Sequence, residues 1–393
     1  MAHSEPVKIV VVGGSFAGIT IINTLLASIE SSRKNIQITL IERRDARHHS
    51  VGAFRALVDE QYSERIWIPY TNLFPADSPH KIIQDRLVEV HHDHIVLVSG
   101  ESVAFDYLAL CTGSSNPSPA KFNVDSSQEA KAITNQARAD LKKSKNIVVV
   151  GGGACGVEFA GEIKTAFPDK NVTLLHATST LVDYPGYADN LKSLALTHLT
   201  NLGVEVILNE KATIEDLDYD HAIQVAPRSI RTHSGKIVES DMQFLSVGIR
   251  VDTSYMSTLK PVGQPNFDPQ TLINPHTHTI KVQSTHQVND FDNIFAVGDC
   301  SDFSKVPTAA GCSFSGPAAA KNIISLIRAD EKKTKAKLAN GGSAPAIMCL
   351  TTGPKTGITS LPLFGTRFSN FFSTLFKSKD LMIGSAVSSM NIK

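Results

Sequence analysis

The stretch N-I-V-V-V-G-G-G-A-C-G at residues 146–156 decides the fold. Its apolar run predicts a buried β-strand, and a helical pattern beginning at Val157 follows the glycines. Gly151, Gly153 and Gly156 complete a G-x-G-x-x-G pattern, which is typical of the first turn of a βαβ unit. Glycine permits a tight turn there and lets the unpaired N–H groups of the helix N-terminus approach a pyrophosphate. This stretch therefore predicts a dinucleotide site.

A second unit of the same kind lies earlier in the chain. An apolar strand at residues 9–12 runs into a glycine-rich turn and then a helical pattern. Ser15 stands at the middle glycine position, and an isolated match of this kind also occurs in tight connections that bind nothing. The next predicted strand, residues 36–41, ends in Glu42, whose carboxylate can accept hydrogen bonds from an adenosine ribose. The predicted cofactor-binding residues of this unit are Gly13, Gly14, Ser15, Phe16, Ala17, Gly18 and Glu42.

The corresponding strand of the later unit, residues 172–175, ends in His176 instead of an acidic residue. An acidic side chain would repel the 2′-phosphate of NADP, whereas His176, followed by Thr178 and Ser179, can tolerate it. This pattern favours use of both NADH and NADPH; the alternative is a histidine that merely caps a strand. The predicted cofactor-binding residues of this unit are Gly151, Gly153, Gly156 and His176.

Each unit closes with a further apolar strand that ends in small residues. Residues 106–113 end in Thr112 and Gly113, and residues 244–248 end in Gly248. A small-residue turn fits a sheet that passes close to a bound nucleotide, although either run alone is also typical of any buried strand. We therefore expect Thr112, Gly113 and Gly248 at the two nucleotide sites.

Residues 293–300 predict one more strand, which delivers Asp299 just before a helix expected near Pro307. In flavoproteins with two dinucleotide folds an aspartate so placed binds the ribityl hydroxyls of FAD; the alternative is a plain turn aspartate. The predicted fold is α/β, with two Rossmann-like dinucleotide-binding domains, the NAD(P) domain inserted in the FAD domain, and a small C-terminal α+β region. The predicted divisions are 1–120 (first part of the FAD domain), 121–260 (NAD(P) domain), 261–328 (second part of the FAD domain) and 329–393 (C-terminal region).

Composition narrows the class of protein. The 393 residues exceed the roughly 250–300 at which one hydrophobic core stops growing, so two or three domains are expected. Lys plus Arg equals Asp plus Glu at 38 each, which argues against nucleic acid as a partner. The five cysteines include no C-x-x-C pair, so no dithiol centre is predicted and a reducing, cytoplasmic location fits. The sequence predicts no metal site, signal peptide or transmembrane helix.

With these residues identified, the chain resembles the flavoproteins with two dinucleotide-binding domains, and within them the apoptosis-inducing-factor-like branch that contains ferroptosis suppressor protein. The narrower match rests on local strings that extend over nearly the whole chain. They are His48-His49 with Arg55, residues 119–123 (P-A-K-F-N), 156–158 (G-V-E), 160–165 (A-G-E-I-K-T), 172–176 (V-T-L-L-H) and 377–381 (K-S-K-D-L).

The resemblance also implies which residues form the site. It places Glu158 near the nicotinamide and Lys377 near the flavin. Lys121 and Lys377 would there favour the anionic reduced ring by Coulomb attraction, whereas a surface position is the ordinary one for lysine. Ser15 and the lysine-rich connection at 332–337 depart from the family pattern. The implied FAD contacts are Gly13 to Ala17, Arg55, Val88, Lys121 and Asp299.

The function implied by the resemblance is that of an FAD-dependent NAD(P)H:quinone oxidoreductase, which takes hydride from NADH or NADPH and reduces a ubiquinone-type acceptor. The alternatives are a redox-sensing or pro-apoptotic interaction protein with incidental NAD(P)H oxidase activity, and a ferredoxin-type reductase. An apolar stripe near the C-terminus, predicted to form one helical face, suits peripheral contact with a mitochondrial outer membrane or lipid droplet, with core packing as the alternative. The stripe comprises Phe364, Phe368, Phe371, Phe372, Leu375 and Phe376.

Overall fold

A computed structural model describes residues 5–29, 35–116, 120–187, 190–213, 223–304, 306, 308–342, 345, 347–361, 365–368 and 373–391. The described strands are β1 (Val7–Val12), β2 (Ile36–Glu42), β3 (Ala46–His48), β4 (Trp67–Pro69), β5 (Lys81–Gln84), β6 (Leu87–Val90), β7 (His94–Leu97), β8 (Ser102–Ala104), β9 (Tyr107–Leu110), β10 (Asn146–Val150), β11 (Asn171–Leu175), β12 (Glu205–Ile207), β13 (Ile223–Arg231), β14 (Ile237–Leu245), β15 (Ile294–Ala296), β16 (Met348–Gly353), β17 (Thr356–Leu361) and β18 (Gly365–Phe368). The described α-helices are α1 (Phe16–Ile29), α2 (Ala53–Val58), α3 (Glu60–Arg65), α4 (Ser127–Lys143), α5 (Ala154–Ala166), α6 (Asn190–Leu202), α7 (Ala309–Lys332) and α8 (Ile383–Ser388).

The first sheet has the strand order β15-β9-β1-β2-β5, and each neighbouring pair is parallel. The last four residues of β1 are buried, as expected for a parallel strand that is covered on both faces. Helices α1 and α7 pack against each other, and a side chain at Gly316 would meet Thr20 of α1. β15 pairs with β9 although the strands of the second sheet lie between them in the chain. The predicted α/β class with parallel sheets is thereby confirmed.

The second sheet has the order β12-β11-β10-β14-β13 and is parallel except at the β13–β14 pair. Helix α5 packs on it, and the ring of Phe159 lies edge-on to that of Phe244 with their centroids 4.2 Å apart. Both rings are buried in the core. In both sheets the glycine-rich turn follows the carboxyl end of a central parallel strand, which is where α/β sheets bind their ligands.

The C-terminal region forms the antiparallel sheet β16-β17-β18, of which β16 packs on α5. The prediction that the apolar stripe forms one helical face is wrong for Phe368, because residues 365–368 are the edge strand β18. A spacing of four residues fits one face of a strand as well as one of a helix, and pairing with β17 decides between them. Phe364, Phe371 and Phe372 lie outside the described residues, and a π-helix at Thr374–Ser378 carries Leu375 and Phe376.

The last described segment, residues 377–391, is bound to the first unit through several of its backbone carbonyls. Its side chains also contribute, because Leu381, Ile383 and Met390 are buried in the core of the first unit. Within the described part of the chain, no helix is both long and apolar enough to cross a membrane. The contacts run from Arg55 to the carbonyl of Ser378 (3.3 Å), from Tyr62 to that of Asp380 (3.0 Å), from His49 to that of Leu381 (2.7 Å), from Arg47 to that of Ala386 (3.3 Å) and from Asn23 to that of Ser389 (2.8 Å).

Candidate functional site

The first glycine turn has a backbone that only glycine can form. Gly13 has a φ of +101°, and a Cβ there would collide with the carbonyl of Cys111. A Cβ at Gly18 would collide with the carbonyl of Gly13, so α1 can approach the turn only with glycine at this position. The amide of Gly14 donates a hydrogen bond of 2.6 Å to Oε2 of the buried Glu42. Residues 13–18 therefore form the predicted glycine turn, although Ser15 stands at the middle glycine position.

The second glycine turn repeats the glycine contacts of the first. Gly151 has a φ of +113° and lies against the carbonyl of Ser246, and Gly156 lies against the carbonyl of Gly151. The amide of Gly152 donates to Nδ1 of His176 at 3.0 Å, in the place of the bond from Gly14 to Glu42. The matching glycine contacts of the two turns fit one physical requirement, which is close approach of backbone amides to a ligand.

His176 is a neutral counterpart of the acidic residue in the first unit. Its Nδ1 accepts from an amide, so the proton lies on Nε2, which is 3.1 Å from the carbonyl of Thr180 and 2.8 Å from Oγ1 of Thr178. Burial lowers the pKa of His176, although the carbonyl of Thr180 acts in the opposite direction. The ring is therefore uncharged at neutral pH.

The two closing turns also match. Gly113 and Gly248 each have a φ of +71° and open space where a Cβ would lie. The chain just beyond them pairs, because the amide of Ser115 donates to the carbonyl of Arg250 at 2.7 Å and the reverse bond measures 2.9 Å. Thr112 contacts Oη of Tyr255 through its Oγ1 at 2.7 Å. The two predicted nucleotide turns are thus directly linked to each other.

Asp299 and Lys121, which the sequence placed in the site, are in contact. Nζ of Lys121 lies 3.2 Å from Oδ2 of Asp299. Ser114 bridges them, since its hydroxyl donates to Asp299 at 2.6 Å and accepts from Lys121 at 2.7 Å. The side chains of Lys121 and Asp299 are 28% and 25% exposed, so both remain accessible to a ligand beside the first turn.

Lys377 and Glu158 form a second charged pair. Nζ of Lys377 lies 2.6 Å from Oε1 of Glu158 and donates to the carbonyl of Cys349 at 2.9 Å. The same carboxylate oxygen accepts from the amide of Thr351 at 2.9 Å. Burial acts to lower the pKa of Lys377, but the neighbouring Glu158 carboxylate outweighs it and the pKa is raised. Lys377 is therefore a fixed positive charge.

Arg55 lies in a buried ion pair. Its Nε and Nη2 each lie 2.6 Å from a carboxylate oxygen of Glu162, one turn beyond Glu158 on α5, and the two side chains are 4% and 2% exposed. Burial raises the pKa of Glu162, and the hydrogen bonds from Arg55 oppose that rise.

Val88 lies on β6 with 41% exposure. Flavin contacts for Arg55 and Val88 stay predictions.

Sequence reasoning missed three residues of this region. Ser114 follows the predicted Thr112-Gly113 turn directly, so its position was a usable signal. Glu162 lies four residues after Glu158 and hence on the same helical face, which is a second usable signal. Tyr184 contacts the second glycine turn from a loop that lies 30 residues after Ala154 in the chain, and the adjacent Pro185-Gly186 predicts a turn there but not this contact. Among the described residues, no group of three or more His, Cys, Asp or Glu could hold a metal ion.

Comparison with known proteins agrees with this geometry. Residues 7–322 match the family described as pyridine nucleotide-disulphide oxidoreductase. Apoptosis-inducing factor homolog B of Dictyostelium discoideum is 30% identical, with 99% of this chain and 98% of the relative covered. Ferroptosis suppressor protein 1 of Mus musculus is 31% identical, with 98% and 96% covered. The solved structure of the sulfide:quinone oxidoreductase from Aquifex aeolicus has a TM-score of 0.70 at 17% identity, with 98% and 92% covered.

These matches and the paired glycine turns lead to one assignment. The chain belongs to the pyridine nucleotide-disulphide oxidoreductase family, among the apoptosis-inducing factor homologues and ferroptosis suppressor proteins, which confirms the predicted flavoprotein class and, at the level of the family, the pairing of FAD with NADH or NADPH.

Proposed function

We propose that this chain is an FAD-dependent NAD(P)H:quinone oxidoreductase. The observation that carries the proposal is the repeated glycine turn, with FAD assigned to the turn at 13–18 and NAD(P)H to the turn at 151–156. The corresponding division of the chain is the predicted one, with the NAD(P) domain at 121–260 inserted between the two parts of the FAD domain at 1–120 and 261–328. Residues 329–393 complete it as the C-terminal region.

The contacts of the first turn support its assignment to FAD. Glu42 fixes the amide of Gly14, the open space before Gly113 leaves room for a ligand, and Asp299 with Lys121 offers a carboxylate and an ammonium that are both partly exposed. We assign the ribityl hydroxyls to Asp299. When bound, FAD accepts hydride from a nicotinamide and returns electrons singly or in pairs.

The chain itself supplies binding, orientation and charge. The N-termini of α1 and α5 hold the two pyrophosphates through their amides and dipoles. Glu158 keeps Lys377 protonated at Nζ, so that a positive charge stands where negative charge develops during reduction. Lys121 provides a second positive charge near Asp299. No side-chain nucleophile is needed.

A quinone is the acceptor that the described surface favours. All five cysteines are free, so the chain offers no disulfide to receive electrons. Leu375 and Met382, which precede and follow Lys377 in the chain, expose 64% and 50% of their surface, and we assign the apolar approach of the quinone to them. Such a surface also suits peripheral contact with a membrane that contains the quinone.

The test is a steady-state comparison of acceptors. FAD-loaded full-length protein is assayed with NADH and with NADPH against a short-chain ubiquinone, a ferredoxin and oxygen. We expect the quinone to be reduced fastest. Protein that stays colourless after FAD addition would overturn the proposal, fastest reduction of ferredoxin would favour the ferredoxin-type alternative, and slow turnover with all three acceptors would favour a redox-sensing interaction protein.

A further inference from the structure

We propose that the hydroxyl of Tyr184 occupies the position of a pyrophosphate oxygen in the second dinucleotide site. It bonds the amide that the ligand needs and is displaced when NAD(P)H binds. The inference rests on the proposed function, because it takes the turn at 151–156 to be the NAD(P)H site. It concerns a residue outside the glycine pattern. Its consequence is that binding of the dinucleotide competes with a contact inside the protein.

The position of the Tyr184 hydroxyl carries the inference. Its Oη accepts a hydrogen bond from the amide of Ala154 at 3.1 Å. Ala154 is the first residue of α5. The N-cap residue is Gly153, which has no side chain that could bond the first amides of the helix. Those amides are the groups that bind a pyrophosphate in a dinucleotide fold. The tyrosine therefore occupies an anion position of this turn.

The loop that carries Tyr184 is fastened to the same turn. The amide of Val182 donates to the carbonyl of Gly152 at 2.9 Å, and the amide of Tyr184 donates to the carbonyl of Val182 at 2.9 Å. Val182 has a φ of +46° and is 1% exposed, an unfavourable backbone conformation for a β-branched residue. Conformations of this kind persist where surrounding contacts impose them, and they cluster at ligand-binding loops.

The tyrosine at the first turn acts differently. Oη of Tyr70 donates to the carbonyl of Gly14 at 2.8 Å, so it uses an acceptor of that turn. Tyr184 uses a donor that an anion needs. The two turns match in their glycines, and they differ in how a tyrosine engages them.

A charged ligand can displace this hydroxyl. Burial raises the pKa of Tyr184, against the effect of the Ala154 amide, so the group is a neutral phenol at pH 7. A pyrophosphate carries full negative charge and makes stronger bonds to helix N-terminal amides than a neutral hydroxyl does. Displacement is therefore favourable, and the lost bond reduces the net affinity.

The experiment compares Tyr184→Phe with the unchanged protein, both as FAD-loaded full chains. Dissociation constants of NAD⁺ and NADP⁺ are measured by titration calorimetry. Removing a competing neutral hydrogen bond should tighten both by about 2- to 10-fold and to the same extent, because the pyrophosphate is common to them. Tyr187→Phe is the matched control, since the Tyr187 ring lies edge-on to Tyr184 at 6.4 Å, and its dissociation constants should not change.

A second variant tests the mechanism through the amide itself. Ala154→Pro removes the N–H at the first helical position, where proline is tolerated, and the extended Gly153 (ψ −177°) suits a following proline. We expect it to weaken NAD⁺ binding and to abolish the effect of Tyr184→Phe in the double variant. A separate effect of Tyr184→Phe in that background would overturn the inference.

The outcomes separate this inference from the proposed function. Unchanged or weaker NAD⁺ binding by Tyr184→Phe would sink the role of Tyr184 alone, because a tyrosine that donates to the pyrophosphate would lose affinity with its hydroxyl. An unchanged protein that binds neither NAD⁺ nor NADP⁺ would sink the proposed function as well. The rise in melting temperature on adding NAD⁺ should be larger for Tyr184→Phe, a readout that a purely structural role would not move.

Discussion

Nδ1 of His176 accepts a hydrogen bond from the amide of Gly152 at 3.0 Å. Oε2 of Glu42 makes the equivalent bond to Gly14 in the first unit. The imidazole nitrogen thus accepts the same backbone hydrogen bond as the carboxylate oxygen, without the negative charge. Protonation of Nδ1 would break the bond, and burial lowers the pKa of His176, so the ring stays neutral near pH 7.

The first prediction concerns the choice between NADH and NADPH. We expect His176→Glu to preserve the contact with Gly152 and to reduce kcat/KM for NADPH by about tenfold or more relative to NADH, because a carboxylate repels the 2′-phosphate. Steady-state kinetics with both dinucleotides at pH 7.5 measures this ratio. His176→Gln is the neutral control and should leave it near the original value. An equal loss for both dinucleotides in His176→Glu would show that this position does not face the ribose.

The second prediction concerns the charge of Lys377. Lys377→Met should reduce quinone turnover by about 10- to 100-fold, the range seen when one electrostatic group is removed from a reacting site. The exposed Lys379, two residues further on, provides the control Lys379→Met, which should change quinone turnover by less than about twofold. Unaltered turnover in Lys377→Met would place this lysine outside the reacting site.

The third prediction concerns the buried pair of Arg55 and Glu162. Glu162→Leu should lower the free energy of unfolding by about 3–5 kcal/mol, because it leaves a buried guanidinium unpaired, and Arg55→Met with Glu162→Leu should recover most of it. Urea unfolding followed by the fluorescence of Trp67, the single tryptophan, measures the change. Lys131→Met breaks the exposed pair with Glu64 and should cost less than about 1 kcal/mol. A double variant as unstable as Glu162→Leu would contradict the electrostatic explanation.

The fourth prediction concerns pH and the attachment of the C-terminal segment. Burial lowers the pKa of His49 to about 4, although the carbonyl of Leu381 acts to raise it. Between pH 6.5 and 4 the unfolded chain therefore binds a proton that the folded chain does not, so stability falls as the pH falls through this window. His49 should account for a loss of about 2 kcal/mol between pH 7 and pH 5.

The variant His49→Gln tests this assignment, because glutamine can still donate to the carbonyl of Leu381 but does not titrate. Urea unfolding at pH 7 and pH 5 should show a smaller loss of stability in the variant. His286, whose pKa burial also lowers to about 4, contributes in the same direction and remains in both proteins. The same pH dependence in the variant and the unchanged protein would remove His49 from the explanation.

The parts of the fold that followed from the sequence are those set by local chemistry. Apolar runs and glycines predicted β1, β10 and both turns, because a strand and a tight turn depend on residues adjacent in the chain. The position of Asp299 just after a strand was predicted in the same way, from the apolar run that precedes it. The partnership of Arg55 with Glu162 joins helices α2 and α5, and the contact of Tyr184 with Ala154 comes from a loop in which Val182 has a positive φ that its residue type does not predict. Both depend on tertiary packing that periodicity does not report.

The aromatic stripe shows the opposite failure. Its spacing fits a helix, yet the bonds of β18 to β17 make it a strand at 365–368. Residues four apart lie on one face of a strand as well as of a helix, so the spacing alone could not identify the element at Phe368.

Several of the bonds that hold residues 377–391 to the first unit end on peptide oxygens, which every amino acid possesses. Substitutions at exposed positions of that segment, such as Met382, can therefore alter its solubility and its affinity for surfaces while its attachment persists. Natural variation at such positions can therefore change the surface properties of this segment without detaching it from the first unit.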